Sequence, residues 1–232
     1  MPRKKFDINE IKTLFKQLTL MNDIFMSYSL DNNIKCVQAM INHLLPKLNL
    51  TVKEVHAQKK IAGLGRSIVL DILAIDTEGR LYNLEVQRNP RGATPKRARL
   101  HGAFLDVYTA KKGGDFEQTP ECYIIFITET DVLGYGLLVY TVRHTIEEAN
   151  HAIFKAEQTF IYLNCSAEND GSPAWKLAHD MKCADPDKML IPEIAETVRD
   201  NRENAPLKLM EGDGEMNEHT MICGLYNFQC CT

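Results

Sequence analysis

The chain lacks any C-x-x-C pair: its seven cysteines stand at 36, 122, 165, 183, 223, 230 and 231, odd in number and scattered. That spacing argues against a structural zinc site and fits reduced thiols in a cytoplasmic protein. An apolar run approaching the roughly 20 residues needed to span a bilayer is missing as well. The opening "MPRKKFDINEIKTLFKQ" is basic but has no apolar h-region behind it, which argues against a secretory signal. An excess of one charge is absent too. The net charge of −4 gives no chain-wide attraction to nucleic acid, so any basic binding surface has to be local. Repeats and low-complexity tracts are not found. What remains is 232 residues, 44% hydrophobic and 25% charged, the proportions of a globular chain able to bury a substantial core.

Apolar periodicity predicts helices over 8–28 and 31–47, the second carrying Ile34, Val37, Met40, Ile41, Leu44 and Leu45 at helical spacing before Pro46. "LTVKEVHAQKKIA" suggests a strand, and two stronger ones follow over about 66–75 and 80–88, joined by "DTEG". A helix over 95–112 opens on Pro95, and "CYIIFIT" reads as a strand buried on both faces. "YGLLVYTVRHT" and "IFKAEQTFIYLN" each hold a further strand. "PAWKLAHDMKC" and "IPEIAETVRDNRE" suggest short helices. This order feeds an antiparallel meander into a crossover helix and a central strand, giving an α/β fold with a mixed sheet and helices on both sides.

Asp71 interrupts the apolar run of Ile68, Val69, Leu70, Ile72 and Leu73, and Glu85 and Gln87 interrupt Leu84 and Val86. A strand aspartate is costly unless it is paired or holds a metal. Two hairpin registers are open. A two-residue turn pairs Asp76 with Gly79 and sets Asp71 against Leu84. A three-residue loop of Thr77, Glu78 and Gly79 pairs Asp76 with Arg80 and sets Asp71 against Glu85. The second needs glycine in its left-handed third place, where Gly79 stands, and Thr77-Glu78 suits the first poorly. In the favoured register Val69, Asp71, Leu73 and Ile75 share a face with Leu81, Asn83, Glu85 and Gln87, while Leu70, Ile72 and Ala74 face the core with Tyr82, Leu84 and Val86. Opposed Cβ atoms lie about 4.5–5.5 Å apart, so two carboxylates there can grip one cation such as Mg²⁺ or Mn²⁺. The ordinary alternative is an ion pair of Asp71 with Arg66, Arg80 or Arg88.

"VLDILAIDTEGRLYNLEVQR" resembles motifs II and III of the PD-(D/E)xK nuclease superfamily. More narrowly, the chain resembles the bacterial recombination-promoting nuclease / putative transposase (Rpn) group. "LTLMNDIFMSYSLDNNIKCVQAMINHLL", "PKRARLHGAFLD" and "CYIIFITETDVLGYGLLVYT" are similar to successive segments of that group, and the likeness runs over about residues 17–190. The resemblance implies a restriction-endonuclease-like α/β/α core over 1–165, with a C-terminal helical extension over 166–232. It implies a Mg²⁺- or Mn²⁺-dependent endodeoxyribonuclease serving transposition or recombination. Asp71 and Glu85 would be metal ligands, with the Val86 carbonyl as another. Gln87 stands where the superfamily has lysine; an amide can orient water but cannot do acid/base work. Where many members carry a glutamate in the first-helix region, this chain reads Asp31-Asn32-Asn33, and Asp31 is the candidate substitute.

"QRNPRGATPKRARL" holds Arg88, Arg91, Lys96, Arg97 and Arg99 without an acid. A charge run is ordinarily a solvated face; beside an active strand it is a phosphate-contact strip. Arg97 and Arg99 cannot face the same way on one helix, and Arg97 is the expected contact. His101, one turn on, is ordinarily a packed or surface histidine, with a general base as the sharper reading. DNA is the implied partner, a membrane is not, and a homodimer stays open. The rival readings are a catalytically weakened nuclease-like protein that binds DNA or a partner, and a plain interaction protein.

Overall fold

A computed structural model describes residues 13, 15–48, 50–63 and 65–211, with 204–211 described by backbone alone. Among the described residues, five helices and a six-stranded mixed sheet form an α/β/α sandwich of the restriction-endonuclease-like kind. The helices are α1 (Asp23–Leu30), α2 (Ile34–Leu44), α3 (Pro95–Thr109), α4 (Pro173–Lys182) and α5 (Pro192–Glu211). The sheet runs β1 (Val52–Ile61), β2 (Ile68–Asp76), β3 (Leu81–Gln87), β4 (Cys122–Thr128), β8 (Gln158–Asn164) and β5 (Val139–Val142) in spatial order. β1, β2 and β3 are antiparallel, β3, β4 and β8 parallel, and β5 antiparallel to β8. A two-stranded ribbon, β6 (Thr145–Ile146) and β7 (Ala152–Ile153), branches off between β5 and β8.

Alternation along β4 explains the three layers. Tyr123, Ile125 and Ile127 enter a core with Phe25, Met40, Leu177, Ile194 and Val198 from α1, α2, α4 and α5. Cys122, Ile124 and Phe126 enter a second core with Ala98 and Leu105 of α3. The C-terminal helices therefore pack into the same core as the strands. Cys36, Cys122 and Cys165 are buried and free, and burial pushes each thiol up to about 12. Among the described residues no helix is long and apolar enough to cross a membrane.

Some expected boundaries move. Of the helix expected over 8–28, residues 8–12 and 14 fall outside the described ones, and 16–17 and 20–22 are turns and a bend. Residues 13 and 15 are helical as expected, and after this break a helix starts afresh at Asp23, because the Asn22 side chain accepts the Phe25 N–H at 3.0 Å and caps it. Asn33 caps α2 in the same way through Cys36, so that helix begins at Ile34. The face assignment of β2 also changes. Leu70 packs with Leu73 and Ala98 on the α3 side, and Val69 is exposed. Opposite Asp71, Gln58 is left-handed at φ +51°, and the β1–β2 ladder skips that pair. The alternation breaks where the two strands bend.

Candidate active site

The hairpin loop sets the geometry. Gly79, at φ +84°, donates its N–H to the Asp76 carbonyl at 3.1 Å, and the Asp76 N–H reaches the Arg80 carbonyl at 3.2 Å. The fully buried Asp76 carboxylate accepts from the Glu78 and Arg80 amides, Arg80 Nε and the Tyr82 hydroxyl. Burial alone would raise its pKa; the Arg80 and Tyr82 hydrogen bonds outweigh that and hold it below the usual value. The resulting pairs are Ile75 with Leu81, Ala74 with Tyr82, Leu73 with Asn83 and Ile72 with Leu84. One step further, Asp71 falls opposite Glu85, and the register with Asp71 against Leu84 is excluded.

At that step the ladder ends and side chains take over. The Asp71 N–H donates to Glu85 Oε1 at 3.1 Å, and the Val86 N–H donates to Asp71 Oδ2 at 3.0 Å. Each carboxylate thus satisfies a main-chain donor of the opposite strand. Loss of water around half-buried Asp71, then the like charge of Glu85, pushes its pKa up to about 7; the Val86 N–H and Arg97 pull the other way.

Glu85 is fully buried, with Oε1 also 3.3 Å from His101 Nδ1 and Oε2 3.4 Å from Arg97 Nη2. His101 is 2% exposed and edge-on to Phe126, so it is a packed histidine. Its Nε2 lies 3.3 Å from Arg97 Nε, a group that can only donate. Nε2 is therefore the acceptor, and Nδ1 carries the proton toward Glu85. The buried Asn83 amide touches Nδ1 at 3.0 Å. Its Oδ1 is the atom that suits an Nδ1–H, and in the opposite orientation that oxygen has no partner.

A third acid, on α1, is electrostatically coupled to the site. Asp23, in the first turn, raises Asp71, and is itself raised by lost hydration and by Glu85 while Arg88 and Arg97 lower it. Asp31, the residue singled out from sequence, is elsewhere. It caps the far end of α1, about 12 Å along the helix axis. Its carboxylate is taken by the Ala57 N–H at 2.9 Å and the Asn32 amide at 3.0 Å. The signal for Asp23 was available: Asn22 followed by an acid is a helix-start pattern.

Gln87 lies on the Glu85 side of β3 by strand alternation, and its amide folds over the turn at Pro90–Ala93. A Cβ added to Gly92 would come within 2.0 Å of Gln87 Oε1, so only glycine permits that approach. Arg88 pairs with Glu129 at 3.1 Å. Thr94 caps α3 through the Arg97 N–H, with Pro95 in the first turn, which aims Arg97 at Glu85. Arg91, Lys96 and Arg99 are exposed at the surface beside it. Among the described residues, no three His, Cys, Asp or Glu side chains form a ready metal cage.

On its other side Asp23 opens onto a groove of about 1070 Å³ bordered also by Asp31, Glu196 and Asp200. Lys35, on that groove, is paired with Glu196. The groove is acidic, whereas the α3 side is basic.

The model of the PD-(D/E)XK nuclease family transposases matches residues 26–172, which hold the whole β2–β3 hairpin and α3. No curated protein and no solved structure matches the chain.

Proposed function

The chain belongs to the PD-(D/E)XK nuclease family transposases, and on that premise we propose that it is a divalent-metal-dependent DNA endonuclease. The family description ties such an activity to transposition, and recombination is part of the same proposal. The observation that carries the proposal is the reciprocal bonding at the open end of the hairpin, which brings the Asp71 and Glu85 carboxylates together.

Those two acids, with the Val86 carbonyl, would hold Mg²⁺ or Mn²⁺. The donor set fits: hard oxygens in a charge-strained pair that a cation would relieve, with water completing the shell. When bound, such an ion lowers the pKa of a water and offsets charge on the scissile phosphate. The protein's own residues do the rest. Arg97 turns its guanidinium from Glu85 to a phosphate oxygen, and His101, held by Asn83, keeps that guanidinium at the mouth of the site. Gln87 orients the attacking water without taking its proton. Arg88, Arg91, Lys96 and Arg99 contact flanking phosphates and bring salt-dependent affinity. DNA approaches over α3, because the acidic groove beyond Asp23 repels phosphate.

Nicking of supercoiled plasmid in Mg²⁺ or Mn²⁺ tests this reading. Wild type should nick, while Asp71→Ala and Glu85→Ala should lose activity. Nicking that survives both substitutions refutes it. Gln87 in the lysine position favours a second reading, a nuclease-like protein that binds DNA without cutting. Salt-sensitive binding with no cleavage in either metal would select it.

A further inference from the structure

Between β4 and β5 the chain spans residues 129–138 with a loop that is held firmly yet exposes an aromatic ring. Asp131 accepts hydrogen bonds from the Leu133, Gly134 and Gly136 amides and from the Tyr140 hydroxyl, at 2.7–3.2 Å. The Tyr140 oxygen in turn accepts from the Tyr135 and Leu137 amides at 3.2 and 3.0 Å. Gly134 and Gly136 flank Tyr135 at φ +79° and +71°, a conformation that other residues would strain. The Tyr135 side chain stands 78% exposed at the tip. Packing does not account for such a ring on so ordered a support.

Its place in the fold gives it a role. The Glu129 N–H donates to the Gln87 carbonyl at 3.1 Å and the Glu129 side chain pairs with Arg88, so the loop rises directly from the end of the candidate active strand. Val132 and Leu133 root it in the α3-side core with Ala93 and Ala98, beside the basic turn. A Cβ built at Gly134 or Gly136 meets nothing within 4 Å, so the two glycines beside Tyr135 also face open space. Tyr140 lies at a centroid distance of 6.3 Å and a 56° tilt, so it does not stack on the Tyr135 ring.

We propose that Tyr135 is a stacking platform for an unpaired DNA base flanking the scissile phosphate, giving the protein a preference for single-stranded or locally opened DNA. The inference rests on the nuclease reading above. A base presents a flat π-face whatever its identity, so the contact carries affinity without sequence preference, and a paired base in a duplex cannot offer it.

The test is fluorescence anisotropy with a fluorescein-labelled 20-nucleotide DNA of mixed sequence, single-stranded or duplex, with Ca²⁺ replacing Mg²⁺ to suppress cleavage. Tyr135→Ala should bind the single strand about tenfold more weakly and the duplex as wild type does. Tyr135→Phe should match wild type, and Tyr135→Leu should resemble the alanine variant. Wild-type binding that is indifferent to Tyr135→Ala, or weakened equally for both DNAs, overturns this inference alone. A wild-type chain that binds neither DNA overturns it together with the nuclease reading.

Discussion

Replacing Asp71 by asparagine should stabilise the metal-free protein at neutral pH. The side-chain carbonyl of the new amide can still accept the Val86 N–H, so the substitution removes charge and little else. Asp71 is raised from 3.8 to about 7 by lost hydration and the Glu85 charge. A carboxyl whose folded pKa lies above its unfolded value favours folding while protonated and opposes it once ionised. The cost therefore begins near the unfolded value, grows as pH rises, and levels off above about 7. The full shift corresponds to at most about 4 kcal/mol, and with the proton shared between two acids and water at the rim about 2 kcal/mol is expected. For a chain of this size that raises Tm by about 4–8 °C. Thermal melts in EDTA at pH 5 and pH 8 measure it: the variant should gain most at pH 8 and clearly less at pH 5. Mg²⁺ should raise the wild-type Tm and narrow the gap. An equal gap at both pH values, or a variant less stable than wild type at pH 8, refutes the electrostatic account.

Three other outcomes separate the roles of neighbouring residues. Asp23→Asn should lower plasmid nicking about tenfold or more, whereas Asp31→Asn, at the other end of α1, should stay near wild type; equal effects would deny Asp23 its place. His101→Ala leaves buried Glu85 short of a donor beside a cavity and should cost about 3 kcal/mol in urea denaturation, with a loss below 1 kcal/mol contradicting the network. Gly92→Ala forces the Gln87 amide aside, so it should reduce nicking as Gln87→Ala does, and the double variant should lose no more than either single one.

Local chemistry made much of this architecture legible. Gly79 supplies the left-handed residue of a three-residue loop, and that fact alone sets Asp71 against Glu85. The unbroken apolar run of β4 announced a strand buried on both faces, as its split between two cores bears out. Pro95 announced the start of α3, which the structure places at that residue behind a Thr94 cap. Long-range effects were harder to read. The side to which Leu70 turns depends on a left-handed Gln58 in a neighbouring strand, a conformation that glutamine rarely adopts. Asp23 reaches the site through the packing of α1 against the sheet. A periodic pattern extending back to residue 8 hid the cap at Asn22 that fixes where that helix begins. The Asp131 clamp joins groups up to nine positions apart in a loop without periodicity.

The site forms where the sheet gives up its own hydrogen bonds. β3 is antiparallel to β2 on one side and parallel to β4 on the other, and its ladder with β2 stops at Leu84 while that with β4 runs on to Gln87. Opening the hairpin would leave the Asp71 and Val86 amides without partners, a cost of about 1–3 kcal/mol each if buried. Carboxylates remove that cost, and neutral side chains could do the same. Only charged ones leave the opening negative enough to attract a divalent ion. Arg97 and His101 act as a counterweight: they offset part of the Glu85 charge, yet sit on the α3 side, where on the nuclease reading a phosphate would draw the guanidinium away. Since that flank is basic and the groove beyond Asp23 is acidic, a phosphate would be drawn toward Arg97 from the α3 side and repelled on the opposite side.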